Sequence, residues 1–105
     1  MEIDMSDIQM TRIVGRKRYS TKTATLIASD RYWDGNNFER NGRNTYLYRT
    51  PNGAFFVVNT TLWQGEDDTL IPISLDEAVE LYETSLDEHE VRYREAFPTV
   101  AVTDA

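Results

Sequence analysis

The sequence predicts an α+β domain in which a small antiparallel sheet, a meander, packs against two C-terminal helices. Two aromatic and β-branched runs flank a Pro-Asn-Gly turn at 51–53, which predicts a central hairpin over about 45–63. Strand-like segments come first and helix-like segments follow, an order typical of α+β domains. The third observation is the capping-box spacing of Ser74 and Glu77, which predicts that a helix begins there.

The chain of 105 residues is predicted to form one domain. A domain of this size buries roughly two thirds of its unfolded surface, which is enough for one modest core. Apolar residues make up 40% of the chain, so we expect it to fold rather than stay disordered. We predict a flexible acidic arm at 1–9, the sheet at 10–73, the helices at 74–97 and a tail at 98–105.

The first strands are predicted to form a basic hairpin. The segment 12–14 is short and rich in β-branched residues, which favours a strand. Residues 15–17 can form a turn, and residues 18–21 can form the returning strand. Residues 23–29 are rich in Thr and Ile and favour a further strand, although Ala and Leu leave a helix open.

Residues 30–44 carry the longest loop signal in the chain. Two turn dipeptides, Asp-Gly and Asn-Gly, lie within this segment. The loop also holds three large aromatic residues, Tyr32, Trp33 and Phe38. Such residues are either packed into the domain or displayed for a partner, and the sequence leaves both open.

The central hairpin is predicted to lie inside the sheet. Tyr46 and Tyr48 share one face of its first strand and Leu47 lies on the other. Apolar residues on both faces indicate a strand that is covered on both sides. Residues 69–73 predict one more strand, which must be an edge because Pro72 has no backbone N–H.

Two helices are predicted after residue 73. The first begins at Ser74, and its apolar stripe consists of Leu75, Ala78, Val79 and Tyr82. Ser85 and Glu88 repeat the capping-box spacing, which predicts a second helix ended by Pro98. Its apolar side consists of Leu86, Tyr93 and Phe97.

Three segments of the chain form a recognisable pattern: Y-x-T-x-T-A from Tyr19, L-Y-R-T-x-x-G-x-x-F from Leu47, and P-I-S-x-x-E-A from Pro72. Over about residues 18–97 the chain resembles a family of small bacterial proteins that are often found near phage and mobile-element genes. The resemblance implies a fold and a genomic neighbourhood, and no catalytic residues come with it. It also implies a phage-encoded accessory role, such as inhibition of host defence by anti-CRISPR proteins.

Charge is split along the chain, whose net charge is −7. Residues 11–50 contain nine Arg or Lys and three Asp or Glu, whereas residues 60–105 contain two Arg and twelve Asp or Glu. Such asymmetry marks a surface for a charged partner, or two halves of a domain that attract each other. It also leaves a head-to-tail homodimer open.

Several function classes are excluded by composition. The chain has no cysteine, so it has no disulfides, thiolate catalysis or zinc–thiolate sites, and a reducing cytoplasm suits it. No apolar run approaches the roughly 18 residues that cross a membrane. Residues 1–10 lack the positive start and apolar stretch of a signal peptide, so we expect a cytoplasmic protein.

No catalytic constellation emerges from the sequence. His89, the sole histidine, is predicted to be a solvated helix residue between two glutamates. The acids at 66–68 lack the alternating oxygen ligands and closing Glu of a calcium loop, and no glycine-rich phosphate loop is present. We therefore expect no enzyme activity, no cofactor and no metal.

The leading hypothesis is a non-enzymatic module that binds a protein. Four acids at helical spacing, i, i+4, i+7 and i+11, are predicted to share one face: Asp76, Glu80, Glu83 and Asp87. This face would bind a basic partner, such as a host nucleic-acid-handling or defence complex. The alternative is that the face is simply solvated. A second protein-binding surface would use the loop aromatics Tyr32, Trp33 and Phe38 together with Trp63.

The alternative hypothesis is nucleic-acid binding through the basic hairpin 12–22. Its phosphate-binding candidates are Arg16, Lys17, Arg18 and Lys22, with Tyr19 nearby. The plainer interpretation is that these charges protect a sheet edge from aggregation.

Overall fold

A computed structural model describes residues 8–31 and 43–105 of the chain. Within these residues, a five-stranded antiparallel sheet has the order β6-β5-β4-β3-β7, and β1 and β2 form a separate two-stranded hairpin. The strands are β1 Thr11–Val14, β2 Lys17–Ser20, β3 Thr25–Ser29, β4 Arg43–Arg49, β5 Phe55–Thr61, β6 Thr69–Ile73 and β7 Glu88–His89, and the helices are α1 Leu75–Thr84 and α2 Tyr93–Ala96.

The five-stranded sheet is covered on both faces, as the central hairpin pattern predicted. Leu47, Phe55 and Val57 face the helices and pack with Tyr82 and Phe97. The residues alternating with them face the β1–β2 hairpin, and this second core consists of Tyr19, Tyr46, Tyr48, Phe56, Val58 and Leu70. The molecule therefore has three layers, with the hairpin layer and the helix layer on opposite faces of the sheet.

The predicted central hairpin is confirmed as β4 and β5. Its loop is residues 51–53, and Gly53 donates its backbone N–H to the Thr50 carbonyl at 2.9 Å. Gly53 has a φ of 84°, in the left-handed region that closes a three-residue hairpin loop. Glycine adopts this conformation without the steric cost that a Cβ would bring.

The β1–β2 hairpin turns through two residues, Gly15 and Arg16. Both have positive φ, 59° and 67°, as a type I′ turn requires. This turn matches the right-handed twist of its strands, and glycine suits its first position. Arg16 is an unusual occupant of the second position because its side chain crowds the backbone there.

Strand β6 is an edge strand, as Pro72 predicted. Its partner is β5 alone, and Arg12 donates from Nη1 to the Leu70 carbonyl at 2.8 Å. Pro72 has no N–H to offer on this side. The hairpin layer thus covers part of an edge that would otherwise invite pairing with another chain.

Helix α1 begins with the predicted capping box. The Glu77 backbone N–H donates to Ser74 Oγ at 3.1 Å, and the Ser74 N–H donates to Glu77 Oε1 at 3.3 Å. Ala78 and Tyr82 are buried against the sheet, whereas Leu75 at the helix start is 37% exposed.

The prediction of a second helix beginning at Ser85 was wrong. Ser85 instead ends α1 by donating its backbone N–H to Leu81, and residues 88–89 pair with β3 as the short strand β7. Helix α2 is a single turn. The edge of β3 explains the difference, because its backbone groups gain partners when this segment is extended. The coarser prediction of a sheet-rich domain with C-terminal helical structure holds.

No helix in the described residues is both long enough and apolar enough to span a membrane.

Candidate functional site

The β1–β2 hairpin has an inner and an outer face. Arg12 lies opposite Tyr19 and both point toward the sheet, where Tyr19 meets Phe56 edge-on at a centroid distance of 5.9 Å. Ile13 lies opposite Arg18 on the outer face, and Ile13 is 63% exposed. Ile13 was not among the predicted site residues, although the alternation of the two strands about their turn could have placed it there.

The predicted basic residues remain available on this hairpin. Arg16 lies at its tip, with Lys17 and Arg18 next to it, while Lys22 lies in the turn at the far end of β2. All four side chains are exposed. None of them forms an ion pair with another residue in the described ranges. Three cations are thus brought together at the tip, and the fourth is separated from them by the length of the strand.

Tyr19 is not available as a base-stacking residue beside these cations. Its ring is 9% exposed and packs on Phe56, so it has no free face for a nucleobase. The hairpin therefore presents charge and one aliphatic side chain, without a stacking platform.

The predicted acidic face is smaller than expected. Asp76, Glu80 and Glu83 lie on α1 and are exposed, but Asp87 lies beyond the helix because the chain leaves it at Ser85. Glu83 accepts a hydrogen bond from Tyr93 Oη at 2.7 Å, and this bond raises the pKa of the Tyr93 phenol.

No member of the predicted acidic face forms an ion pair within the described residues, and two of its members on α1 also lack a hydrogen bond to their carboxylate there. The carboxylates of Asp76 and Glu80 form no ion pair with any residue in the described part of the chain. Asp76 also lies in the first turn of α1, where the positive end of the helix dipole stabilises a carboxylate. The acidic face is therefore reduced to two adjacent turns of one helix.

Trp63 lies in the loop between β5 and β6 and is 53% exposed. The Arg43 guanidinium lies 5.4 Å from its ring centroid and also binds both oxygens of Glu66, at 3.1 and 2.5 Å. The Arg43 hydrogen bond and a second one from Thr61 lower the pKa of Glu66. Trp63 thus belongs to a structured loop. The other predicted aromatic residues, Tyr32, Trp33 and Phe38, lie outside the described residues.

His89 does not lie on a helix, contrary to the prediction. It belongs to β7, and its ring stacks on Tyr82 at a centroid distance of 3.8 Å. Its Nε2 lies 3.0 Å from the Tyr82 carbonyl oxygen. These contacts attach the last turn of α1 to strand β7 of the sheet.

The acids at 66–68 close the β5–β6 loop. Glu66 binds Arg43 and Thr61, and Asp68 accepts the Thr61 backbone N–H at 2.9 Å. Among the described residues, no group of three or more His, Cys, Asp or Glu is placed to hold a metal ion.

Charge is divided between the two outer layers. Residues 8–24, which form the hairpin layer, contain five Arg or Lys and no Asp or Glu. Residues 74–105, which form the helix layer, contain nine Asp or Glu and two Arg. Opposite charge on opposite faces orients the molecule toward a charged partner.

No protein-family model, curated protein or solved structure matches the chain.

Proposed function

We propose that the protein is a nucleic-acid-binding module that contacts phosphates through the tip of its β1–β2 hairpin. The observation that carries this proposal is the cluster of exposed cations without ionic partners at the tip, Arg16, Lys17 and Arg18. Phosphate contacts need exposed cations that the protein has not already neutralised. This is the alternative hypothesis of the sequence analysis. We place it first because the three cations stay together at one tip, whereas the predicted acidic face loses Asp87.

The conformation of Arg16 supports this role. A non-glycine residue with a φ of 67° carries a conformational cost on the order of 1 kcal/mol. Asn or Gly would occupy this turn position at lower cost and make the turn more stable. The presence of an arginine is therefore explained if its charge contributes to binding.

The expected binding is electrostatic and largely independent of sequence. The buried Tyr19 leaves the hairpin without a stacking residue, so base contacts contribute little. Each neutralised phosphate contributes about −0.9 to the slope of log affinity against log salt on duplex DNA. Three or four cations on this surface therefore predict a slope of roughly −3 to −4.

Fluorescence anisotropy with a labelled duplex, a single-stranded DNA and an RNA tests this proposal over about 50 to 200 mM salt. We expect binding that weakens along the predicted slope, and a loss of about tenfold or more when Arg16, Lys17 and Arg18 are replaced by Gln. The control replaces Arg92 and Arg94, two exposed arginines of the helix layer, by Gln, and the losses are compared per cation removed. Equal losses in the two variants, or no binding at the lowest salt, would contradict the proposal.

A second candidate function is protein binding through α1, since Asp76 and Glu80 are exposed and lack ionic partners. The protein would then be a non-enzymatic interaction module, and the resemblance to phage-associated proteins suits an inhibitor of a host complex. Titration with a nona-arginine peptide tests this surface directly. We expect Asp76→Asn with Glu80→Gln to weaken binding more than Glu88→Gln with Glu90→Gln, and equal weakening would dismiss a dedicated acidic face.

A further inference from the structure

A groove of about 370 Å³ lies at the end of the sheet, where the β4–β5 loop approaches the first residue of α1 and the chain following α2. Its floor is formed by neighbouring positions of β4, β5 and β6, because Arg49 pairs with Phe55 and Phe55 pairs with Ile73. Phe97 closes one side and packs on Phe55 at a centroid distance of 5.5 Å. The volume falls in the range of small-molecule sites, about 300–1,000 Å³.

Among the residues that the structure describes, Arg49 is the one charged residue that lines this groove. Its side chain is partly buried, yet its guanidinium forms no hydrogen bond or ion pair with any residue of the described chain. Two other arginines do have acceptors: Arg12 donates to the Leu70 carbonyl oxygen, and Arg43 binds the carboxylate of Glu66. The guanidinium carries five N–H donors, and any of them that loses water gains by binding an acceptor.

The guanidinium end of Arg49 lies beside the β4–β5 loop, which also lines the groove. A Cβ placed on Gly53 would lie 3.7 Å from Arg49 Nη2, so the side chain passes directly over this glycine. Gly53 itself lines the groove. The donors of Arg49 are therefore held beside the β4–β5 loop, at a wall of the cavity.

The remaining lining is mostly apolar. Phe55, Ile73, Leu75, Phe97 and Pro98 contribute apolar side chains, and Leu75 is 37% exposed although it is a large aliphatic residue. Within residues 8–31 and 43–105, the polar side chains of the lining are those of Tyr19, Asn52 and Thr99, and no Asp or Glu lines the groove. A cation without a competing carboxylate, surrounded by apolar walls, is complementary to an anion that carries an apolar group.

We propose that this groove binds a carboxylate attached to an aromatic or aliphatic group, with Arg49 as the carboxylate-binding residue. The planar guanidinium can bind both oxygens of a carboxylate through two parallel hydrogen bonds. A single cation balances a monoanion. A phosphate monoester, close to dianionic at neutral pH, would leave one charge without a partner against apolar walls. This site is independent of the proposed nucleic-acid surface, because none of the hairpin cations lines it.

Calorimetric titration with 3-phenylpropionate tests the proposal, with 3-phenylpropionamide as the neutral analogue and phenyl phosphate as the dianionic one. We expect the carboxylate to bind at least about tenfold more tightly than either analogue. Arg49→Met keeps the apolar stem and should lose about tenfold or more of the carboxylate affinity. Arg43→Met, the matched arginine at the other end of β4, should retain it.

The site is located independently of any variant by following the backbone amide signals of the wild-type protein during titration. We expect the largest changes at Gly53 and its neighbours in the β4–β5 loop. Arg49→Lys keeps the charge but lacks the planar fork, and should give an intermediate loss. Equal affinity for the acid and the amide, tighter binding of phenyl phosphate, undiminished binding by Arg49→Met, or no binding of the acid at about 10 mM would each overturn the proposal.

Discussion

The two layers that cover the sheet are attached to it in different ways. On the helix side, Tyr82 and Phe97 form an aromatic cluster with a centroid distance of 5.4 Å, and Phe97 also packs on Phe55. On the hairpin side, Tyr19 packs on Phe56 and Arg12 bonds to one carbonyl of the edge strand. The acidic layer shares a cluster of buried aromatic rings with the sheet, whereas the basic layer is attached through one buried ring, several partly buried apolar side chains and a hydrogen bond to the edge strand.

The largest expected effect comes from removing the aromatic anchor of the helix layer. Phe97 is 1% exposed and contacts Phe55, Tyr82 and Tyr93, so Phe97→Ala should lower the free energy of unfolding by about 3–5 kcal/mol. Tyr19→Ala should cost less, since Tyr19 is 9% exposed at the margin of its layer. Urea unfolding followed by circular dichroism measures both. A greater loss for Tyr19→Ala would reverse the comparison.

A pH titration tests how strongly the hairpin side of the sheet excludes water from the Tyr48 phenol. Burial, assisted by the neighbouring Tyr46, raises the pKa of the Tyr48 phenol to about 12, whereas a phenol in an unfolded chain titrates near about 10. The folded protein thus holds this proton more tightly. The resulting stability is fully present below about pH 10 and is lost as the pH rises through about 12.

We therefore expect the urea midpoint to fall between about pH 10 and 12, and to fall less steeply in Tyr48→Phe. Tyr93→Phe, on the helix side, serves as the comparison because hydrogen bonding to Glu83 also raises the pKa of its phenol. Identical pH profiles for the wild-type protein and Tyr48→Phe would show that Tyr48 does not contribute.

Two serines with the same sequence signature give a smaller and sharper test. Ser74 caps α1 through its side chain, so Ser74→Ala should lower the free energy of unfolding by about 1 kcal/mol. Ser85 lies at the end of α1, and within the described residues its Oγ forms a hydrogen bond only with Thr84 Oγ1, at 3.3 Å. Ser85→Ala should change stability by less than about 0.5 kcal/mol. Equal losses would mean that both signatures cap helices.

The smallest expected effect is a gain in stability. Arg16→Asn places a residue that tolerates the left-handed conformation at the tip of the hairpin, and should raise the free energy of unfolding by a few tenths to about 1 kcal/mol. The same change should weaken nucleic-acid binding. Thermal unfolding and anisotropy of the one variant measure both, and a destabilised Arg16→Asn would show that the arginine is retained for the fold.

The sequence predicted those elements whose signals are local. The capping box at Ser74, the loop at 51–53 and the edge strand of Pro72 each depend on a few neighbouring residues, and all three are confirmed. The repeated signature at Ser85 failed because a distant strand, β3, offers its backbone groups to residues 88–89. Local propensity cannot report such competition.

The candidate site was predictable only in part, for a similar reason. The basic residues could be found by counting charge, but the burial of Tyr19 depends on where the hairpin packs. The displacement of Asp87 from the acidic face follows from the failed helix. Arg49 gave no signal, because what distinguishes it is the lack of an acceptor around a partly buried side chain, and that is a property of the fold.

We expect nucleic acid to bind the hairpin layer rather than the helix layer. An amide-resolved NMR titration of the protein with a short DNA duplex at low salt tests it most directly. We predict that signal changes concentrate in the hairpin, from Arg12 to Lys22, and leave α1 unaffected. Changes confined to α1 and the segment after it, or no changes while the hairpin signals are observable, would contradict the account.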